Sequence, residues 1–348
     1  MKLTAYAALL TGAILTTPAM AQVNLTAETA SPGGSVHLAP SHLVEIAGTQ
    51  GIANIQLADG QTLTNSLQNV AEGKTDIASA PHILPFLMQR GVGPYGELGG
   101  EKGAELASNL RSIYPYILGN FMLFAYDSKG IGGWDDLEGK KIFNGPPRGG
   151  ALTNARAMIQ ITAGLKEGEG YEGIQSNWGQ ATTVIGGGGP DAIVLPEVFP
   201  SGRTSTLSAA GKMTAWSLPI DVFESDAMQK YIKAPGSAPI IMPVAEAAAA
   251  LGDQFTVVSE DDTFRGFATV GGDVVHKDMD EELVYNLVSA YIGSLDALKA
   301  KAPFGNTVAF DNPMLGMCGA NPMVYHNGAV RAWEEAGFEI DDCAKEKM

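Results

Sequence analysis

The sequence predicts an α/β protein of about two domains, and three observations carry that expectation. Strand-like and helix-like periodicities alternate along most of the chain, implying parallel or mixed sheets covered by helices. Two glycine-rich strand-to-helix junctions stand more than a hundred residues apart and are assigned to different lobes. The length, 348 residues, suits about two domains at roughly 150 residues each. With 45% hydrophobic and 17% charged residues, the chain can bury a large core, which excludes a disordered or fibrous class.

Residues 1–21 differ from the remainder. Lys2 is their only charge, an apolar run follows from Ala5 to Leu15, and the segment ends Ala19-Met20-Ala21. That pattern reads as a secretory signal cut before Gln22, with a short membrane anchor as the alternative. No cysteine follows the cut, so lipid anchoring is not indicated. The mature chain is expected to be soluble, exported and periplasmic. Along it, Gly51–Ala58 reads as a strand with Ile55 and Leu57 on one face. Leu63, Leu67, Val70 and Ala71 then mark a helix closed by Gly73. Further strands are expected at Thr75–Ser79, Leu110–Ile117, Asn120–Tyr126, Lys140–Asn144 and Asp191–Leu195. Helices are expected at Leu152–Ala163, Gly202–Ala210, Ala227–Lys233 and Glu282–Lys299.

The formal charge of −16 opposes binding through phosphate neutralisation, so no nucleic-acid partner is expected. Cys318 and Cys343 are the only cysteines. In an oxidising compartment they are a candidate disulfide, with two unpaired thiols as the alternative. His37, His42, His82, His276 and His326 show no metal-ligand spacing. No metal site and no cofactor are expected. Nucleophile-elbow, Walker and Rossmann patterns are missing, and nothing in the sequence demands an enzyme.

The two junctions share a chemistry. Gly33-Gly34-Ser35 opens a helix-like stretch from Val36 to Ala47, and Arg148-Gly149-Gly150 opens the helix that bears Thr153 and Asn154. Free N–H groups at a helix start form an anion site, and glycine lets a ligand approach the backbone. The alternative is a pair of ordinary βα turns. A third segment, Pro196–Pro200, follows a strand at the carboxyl end, where open α/β sheets bind ligands. It brings in Glu197 and Phe199. Ser79 and His82, at and just beyond the end of the Thr75–Ser79 strand, complete the candidate ligand contacts.

Taken together, these segments resemble the TAXI-type solute-binding proteins of TRAP transporters. Gly33-Gly34-Ser35-Val36 resembles that family's opening G-G-T-Y loop, and Ala71–Ala78 resembles its "(S/N)GEADLG" segment. Leu110–Ile113 and Asp136–Ile142 resemble "LRAI" and "DLKGKRV", and Glu282–Tyr285 resembles "(D)LVYEI". His326–Gly337 resembles the closing "HPGAIRYYKEAG". The resemblance implies two α/β lobes of the Venus-flytrap type, joined by crossing strands near Asn120–Tyr126 and Phe264–Val270. Residues 22–124 plus 267–348 would form lobe I, and residues 125–266 lobe II.

It also implies a monomeric, non-enzymatic binding protein that hands a small carboxylate to TRAP membrane subunits. Two departures bear on the ligand. Arg148-Gly149-Gly150-Ala151 replaces the family's G-S-G-T loop, and Glu197 and Phe199 stand where small residues are usual. If Arg148 and Glu197 both point inward, the site suits separated charges such as an amino acid; the alternative for each is to face solvent. A sensory binding protein and an exported α/β hydrolase are the alternative functions.

Overall fold

Two long strands decide the architecture. The computed structural model describes residues 22–147 and 150–347; the expected signal segment, Arg148 and Gly149 lie outside them. Eleven strands form one sheet: β1 (Val23–Glu28), β2 (Ala53–Ala58), β3 (Ile77–Pro81), β4 (Leu110–Tyr126), β5 (Lys141–Phe143) and β6 (Glu172–Ile174), followed by β7 (Ala192–Glu197), β8 (Met213–Trp216), β9 (Ser237–Pro243), β10 (Phe255–Val258) and β11 (Thr263–His276). The helices that position the site are α1 (Ser35–Thr49), α2 (Leu63–Ala71), α3 (Ile83–Arg90), α4 (Gly99–Ala107), α5 (Gly150–Ala163), α6 (Trp178–Gly186) and α7 (Gly202–Ala210).

The main path of the sheet runs β2-β1-β3-β11-β4-β7-β5-β6. β4 and β11 pair antiparallel from Leu110 opposite His276 to Phe121 opposite Phe267. Both then exchange partners midway. β11 pairs β3 over Gly271–Val275 and β9 over Thr263–Thr269. β4 leaves β11 after Phe121 and takes up β8 over Leu123–Tyr126, with β7 beside it over Asn120–Phe124. This exchange divides the sheet into two halves that share only these two strands, giving a two-lobed α/β fold. β1, β2 and β3 run parallel in one half and β5, β6 and β7 in the other.

Close strand approach explains the glycines of β11. A Cβ at Gly271 would lie 2.4 Å from the Ala80 carbonyl oxygen, and one at Gly272 would lie 2.2 Å from that of Tyr114. Any side chain there would force β3 or β4 away. One large apolar cluster fills the first half and extends into the second through residues such as Phe124, Leu195 and Phe199. A second cluster, including Phe121, Leu123, Trp134, Trp216 and Phe267, covers the opposite face of the second half.

Most expected elements stand within two residues of their sequence bounds, with two exceptions. Leu110–Ile117 and Asn120–Tyr126 are one strand rather than two. Leu118 and Gly119 looked like a break, but pairing with β11 carries the ladder across them despite a register shift between Thr269 and Val270. The helix expected over Glu282–Lys299 is divided at Ser294 into Glu281–Gly293 and Leu295–Ala300. There the Ser294 hydroxyl donates to the Ala290 and Tyr291 carbonyls, a local bond that competes with continued helix.

Cys318 and Cys343 form a disulfide with Cα atoms 5.4 Å apart. It ties the irregular segment before the helix Asn327–Glu335 to the last turn of the chain. That turn is also held where the Tyr325 N–H donates to the Ala344 carbonyl at 2.8 Å. Closing a loop of this length contributes about 3 kcal/mol. Replacing both cysteines by serine should therefore lower the unfolding free energy by about that amount in chemical denaturation, without loss of secondary structure by circular dichroism.

Candidate functional site

The candidate site is built where the partner exchange occurs. Four segments from both halves converge on Ile117–Asn120 of β4 and the facing residues of β11. From the first half, the Ser35 hydroxyl donates to the Ile117 carbonyl at 2.6 Å. The His82 N–H donates to the carbonyl of Val270, the residue opposite Ile117. From the second half, Glu197 lies directly opposite Asn120 in the β4–β7 pairing. The Phe199 carbonyl accepts from the Thr307 hydroxyl at 2.9 Å, and neighbouring Val308 accepts from the Ile117 N–H. Three of these segments follow the carboxyl ends of the parallel strands β1, β3 and β7, where α/β sheets present their ligand sites.

Beneath the α1 junction lies a buried polar network. The Asp273 carboxylate accepts from Ser79 at 2.7 Å, Tyr114 at 2.7 Å and Tyr116 at 2.8 Å. All four side chains are fully buried. Burial raises the Asp273 pKa, against the pull of these three donors. Burial also lifts the Tyr114 and Tyr116 hydroxyls well above their ordinary range, with the nearby Asp273 charge acting the same way. Ser79 also approaches the Val36 carbonyl at 3.1 Å, and Thr29 donates to that carbonyl at 2.5 Å. The network thus fixes the first turn of α1 against the sheet.

The structure separates the sequence-predicted contacts into groups. Gly33 and Gly34 face open space, with no atom within 4 Å of a Cβ built on either. Gly34 caps α1 without a side-chain partner, so the helix start presents backbone donors. Ser35 and Ser79 have their hydroxyls engaged by protein. Gly150 is exposed at the start of α5, also with free space around it. Asn154 is turned to the Tyr231 hydroxyl, which donates to it at 2.6 Å. Thr153 is exposed on α5. Arg148 and Gly149 lie outside the described residues. Phe199 is buried, stacked edge-on to Phe264 at 6.0 Å.

Glu197 is buried, not solvent-facing. Its Oε2 accepts from Ser201 at 2.6 Å, and its Oε1 lies 3.1 Å from Arg203 Nε. Burial raises its pKa, opposed by the Arg203 charge and the Ser201 bond. Arg203, on the first turn of α7, lies with its guanidinium 4.6 Å over the Trp178 ring. Sequence reading singled out neither Arg203 nor Asn120. The one available signal was that Arg203 follows Glu197 across a Phe-Pro-Ser-Gly turn into a helix.

His82 is fully buried, and neither ring nitrogen has a hydrogen-bond partner. Burial holds the imidazole neutral by pushing its pKa down to about 4. The unfolded chain takes up that proton from about pH 6.5, so it binds more protons than the native state between the two values. His82 thus leaves stability intact above pH 6.5 and removes it as pH falls toward 4. The full effect is about 3 kcal/mol at about 1.36 kcal/mol per pH unit. His82→Gln should flatten this part of the stability–pH profile, measured by urea denaturation from pH 7 to pH 4.

Comparison with known proteins adds the lineage. No curated protein sequence matches the chain significantly. Similar solved structures include a sulfonate-binding SsuA from Methylobacillus flagellatus KT, at 12% identity and TM-score 0.46, covering 93% of this chain and 92% of that one. The aliphatic sulphonate-binding SsuA of Escherichia coli matches at 12% identity and TM-score 0.43, over 82% and 74% of the two chains. A nutrient-binding protein from Burkholderia cenocepacia bound to methionine matches at 12% identity and TM-score 0.43, over 83% and 100%. The profile of the NMT1-like family matches residues 27–337, nearly the whole chain. The chain belongs to the NMT1-like family.

Proposed function

We propose that the protein is a periplasmic solute-binding protein that captures a small carboxylate-containing solute by lobe closure and delivers it to a membrane transporter. One observation carries this reading: loops from both halves converge on the middle of the two strands the halves share. A ligand seated there touches both lobes at once, so its binding energy can favour the closed state. Lobe I comprises residues 22–124 and 267–348, lobe II residues 125–266, and β4 with β11 forms the hinge. Membership of the NMT1-like family supports solute binding rather than catalysis.

The anion rests on helix-start donors at Gly33-Gly34 and at the Arg148-Gly149-Gly150 junction. Arg148 supplies the guanidinium that the hydroxyl loop of TAXI proteins lacks. It is one of seven arginines in a chain of net charge −16, whose overall field disfavours anions unless a local cation overcomes it. The resemblance to TAXI proteins makes the partner a TRAP transporter, which runs without ATP.

A thermal-shift screen of the mature protein against organic acids, amino acids and sulfonates tests the reading. A ligand at 100 times its Kd adds about 2.7 kcal/mol; a screen in which nothing raises the unfolding temperature refutes it. With the ligand found, Arg148→Ala should weaken binding about 30-fold to several thousand-fold, from a loss of about 2–5 kcal/mol. Calorimetry giving an affinity within about threefold of the parent would remove Arg148 from the site. Uptake in cells should stop when the ion gradient is collapsed and survive ATP depletion. The reverse would assign an ABC-type carrier, the kind named for the sulfonate-binding SsuA of Methylobacillus flagellatus.

A further inference from the structure

Asn120 is 1% exposed, and neither atom of its side-chain amide has a hydrogen-bond partner. It stands directly opposite Glu197 on the neighbouring strand. Facing residues leave the same side of the sheet with Cβ atoms about 4.5–5.5 Å apart, so the amide and the carboxyl are immediate neighbours. Arg203 joins them through its Nε contact with Glu197 Oε1. Its Nη1 is buried without a partner, and Oε1 itself accepts no hydrogen bond. The Trp178 ring backs the guanidinium and limits its movement. A buried donor or acceptor left unmet costs about 1–3 kcal/mol. Several of them gathered at the convergence of the two halves are capacity held open for a guest.

We propose that Asn120, Glu197 and Arg203 form a subsite for the ammonium-plus-carboxylate end of an α-amino acid. The open donors, Arg203 Nη1 and Asn120 Nδ2, match a carboxylate. The unmet Asn120 Oδ1, with the Glu197 carboxylate whose Oε1 already faces Arg203 Nε, matches an ammonium. Glu197 and Arg203 together are neutral, so a zwitterion enters without adding net charge to a buried place. A plain dicarboxylate would set a second anion against Glu197 and leave Asn120 Oδ1 unmet. The inference rests on the solute-binding reading above and narrows it.

The test titrates the mature protein with each of the twenty standard L-amino acids, their 2-oxo acids, C4–C6 dicarboxylates and short alkanesulfonates. At least one amino acid should bind, and its 2-oxo acid should bind about 10-fold more weakly or worse. Asn120→Leu, close in size, should cut amino-acid affinity about 10- to 100-fold. It should leave the melting temperature of the ligand-free protein unchanged or higher, because an unmet buried amide becomes apolar. A merely structural asparagine would not split affinity from stability in this way. If Asn120→Leu does not fold, Arg203→Met on the more exposed flank must show the same loss of affinity. Binding of dicarboxylates or sulfonates alone overturns the subsite and leaves the solute-binding reading standing. So does amino-acid affinity within threefold of the parent in Asn120→Leu, or in Arg203→Met where that variant is needed. Silence across all four classes overturns both.

Discussion

The antiparallel pairing of β4 with β11 is the constraint on which the remainder of the structure depends. Each strand has one set of neighbours in one half and another set in the other half. The two halves are joined through this ladder and through the apolar cluster that extends from the first half into the second. Because the exchange falls mid-strand, the carboxyl ends of the parallel strands in both halves point at one place. The site is thus a consequence of the pairing, not an addition to it.

The polar groups at this place divide by what they already hold. Ser79, Tyr114 and Tyr116 satisfy Asp273, and Ser35 satisfies a carbonyl of β4. Their hydrogen bonds keep α1 seated at the angle that presents Gly33 and Gly34. A fully satisfied buried network of this kind rigidifies its surroundings. His82, Asn120 and Arg203 Nη1 are buried and unmet. Satisfied groups build the frame, and the subsite proposed above assigns recognition to unmet ones.

The acidic charge of the chain bears on the proposed recognition as well. At −16 overall, an anionic solute approaches against the field, and only local cations and backbone donors offset it. Arg203 is one such cation, but its charge is balanced by buried Glu197. In the subsite proposed above, that balance would favour a guest with both signs of charge over one with two negative groups. The surface depression of about 400 Å³ beside Arg156 and Glu167 does not compete for this role. There Arg156 is paired with Glu167 by two hydrogen bonds.

Local pattern alone determined much of this protein. The 3.6-residue spacing of Leu63, Leu67 and Val70 placed α2 where it stands, and the glycine junctions marked the starts of α1 and α5. The two cysteines were legible as a pair because nothing else could partner either one. The helix and the junctions depend on neighbours in the chain, which the sequence records directly, and the disulfide on there being two cysteines. Tertiary structure decided what depends on distant residues. Leu118 and Gly119 read as a break until β11, some 150 residues later, continued the ladder across them. That the Ser79 hydroxyl donates to Asp273, nearly two hundred residues later, is likewise decided by the fold. Glu197 read as ambiguous, and Asn120 as an ordinary strand residue, until their pairing placed both on one face beside Arg203. Whether a polar side chain is satisfied depends on which strands meet it, and no spacing within the chain encodes that meeting.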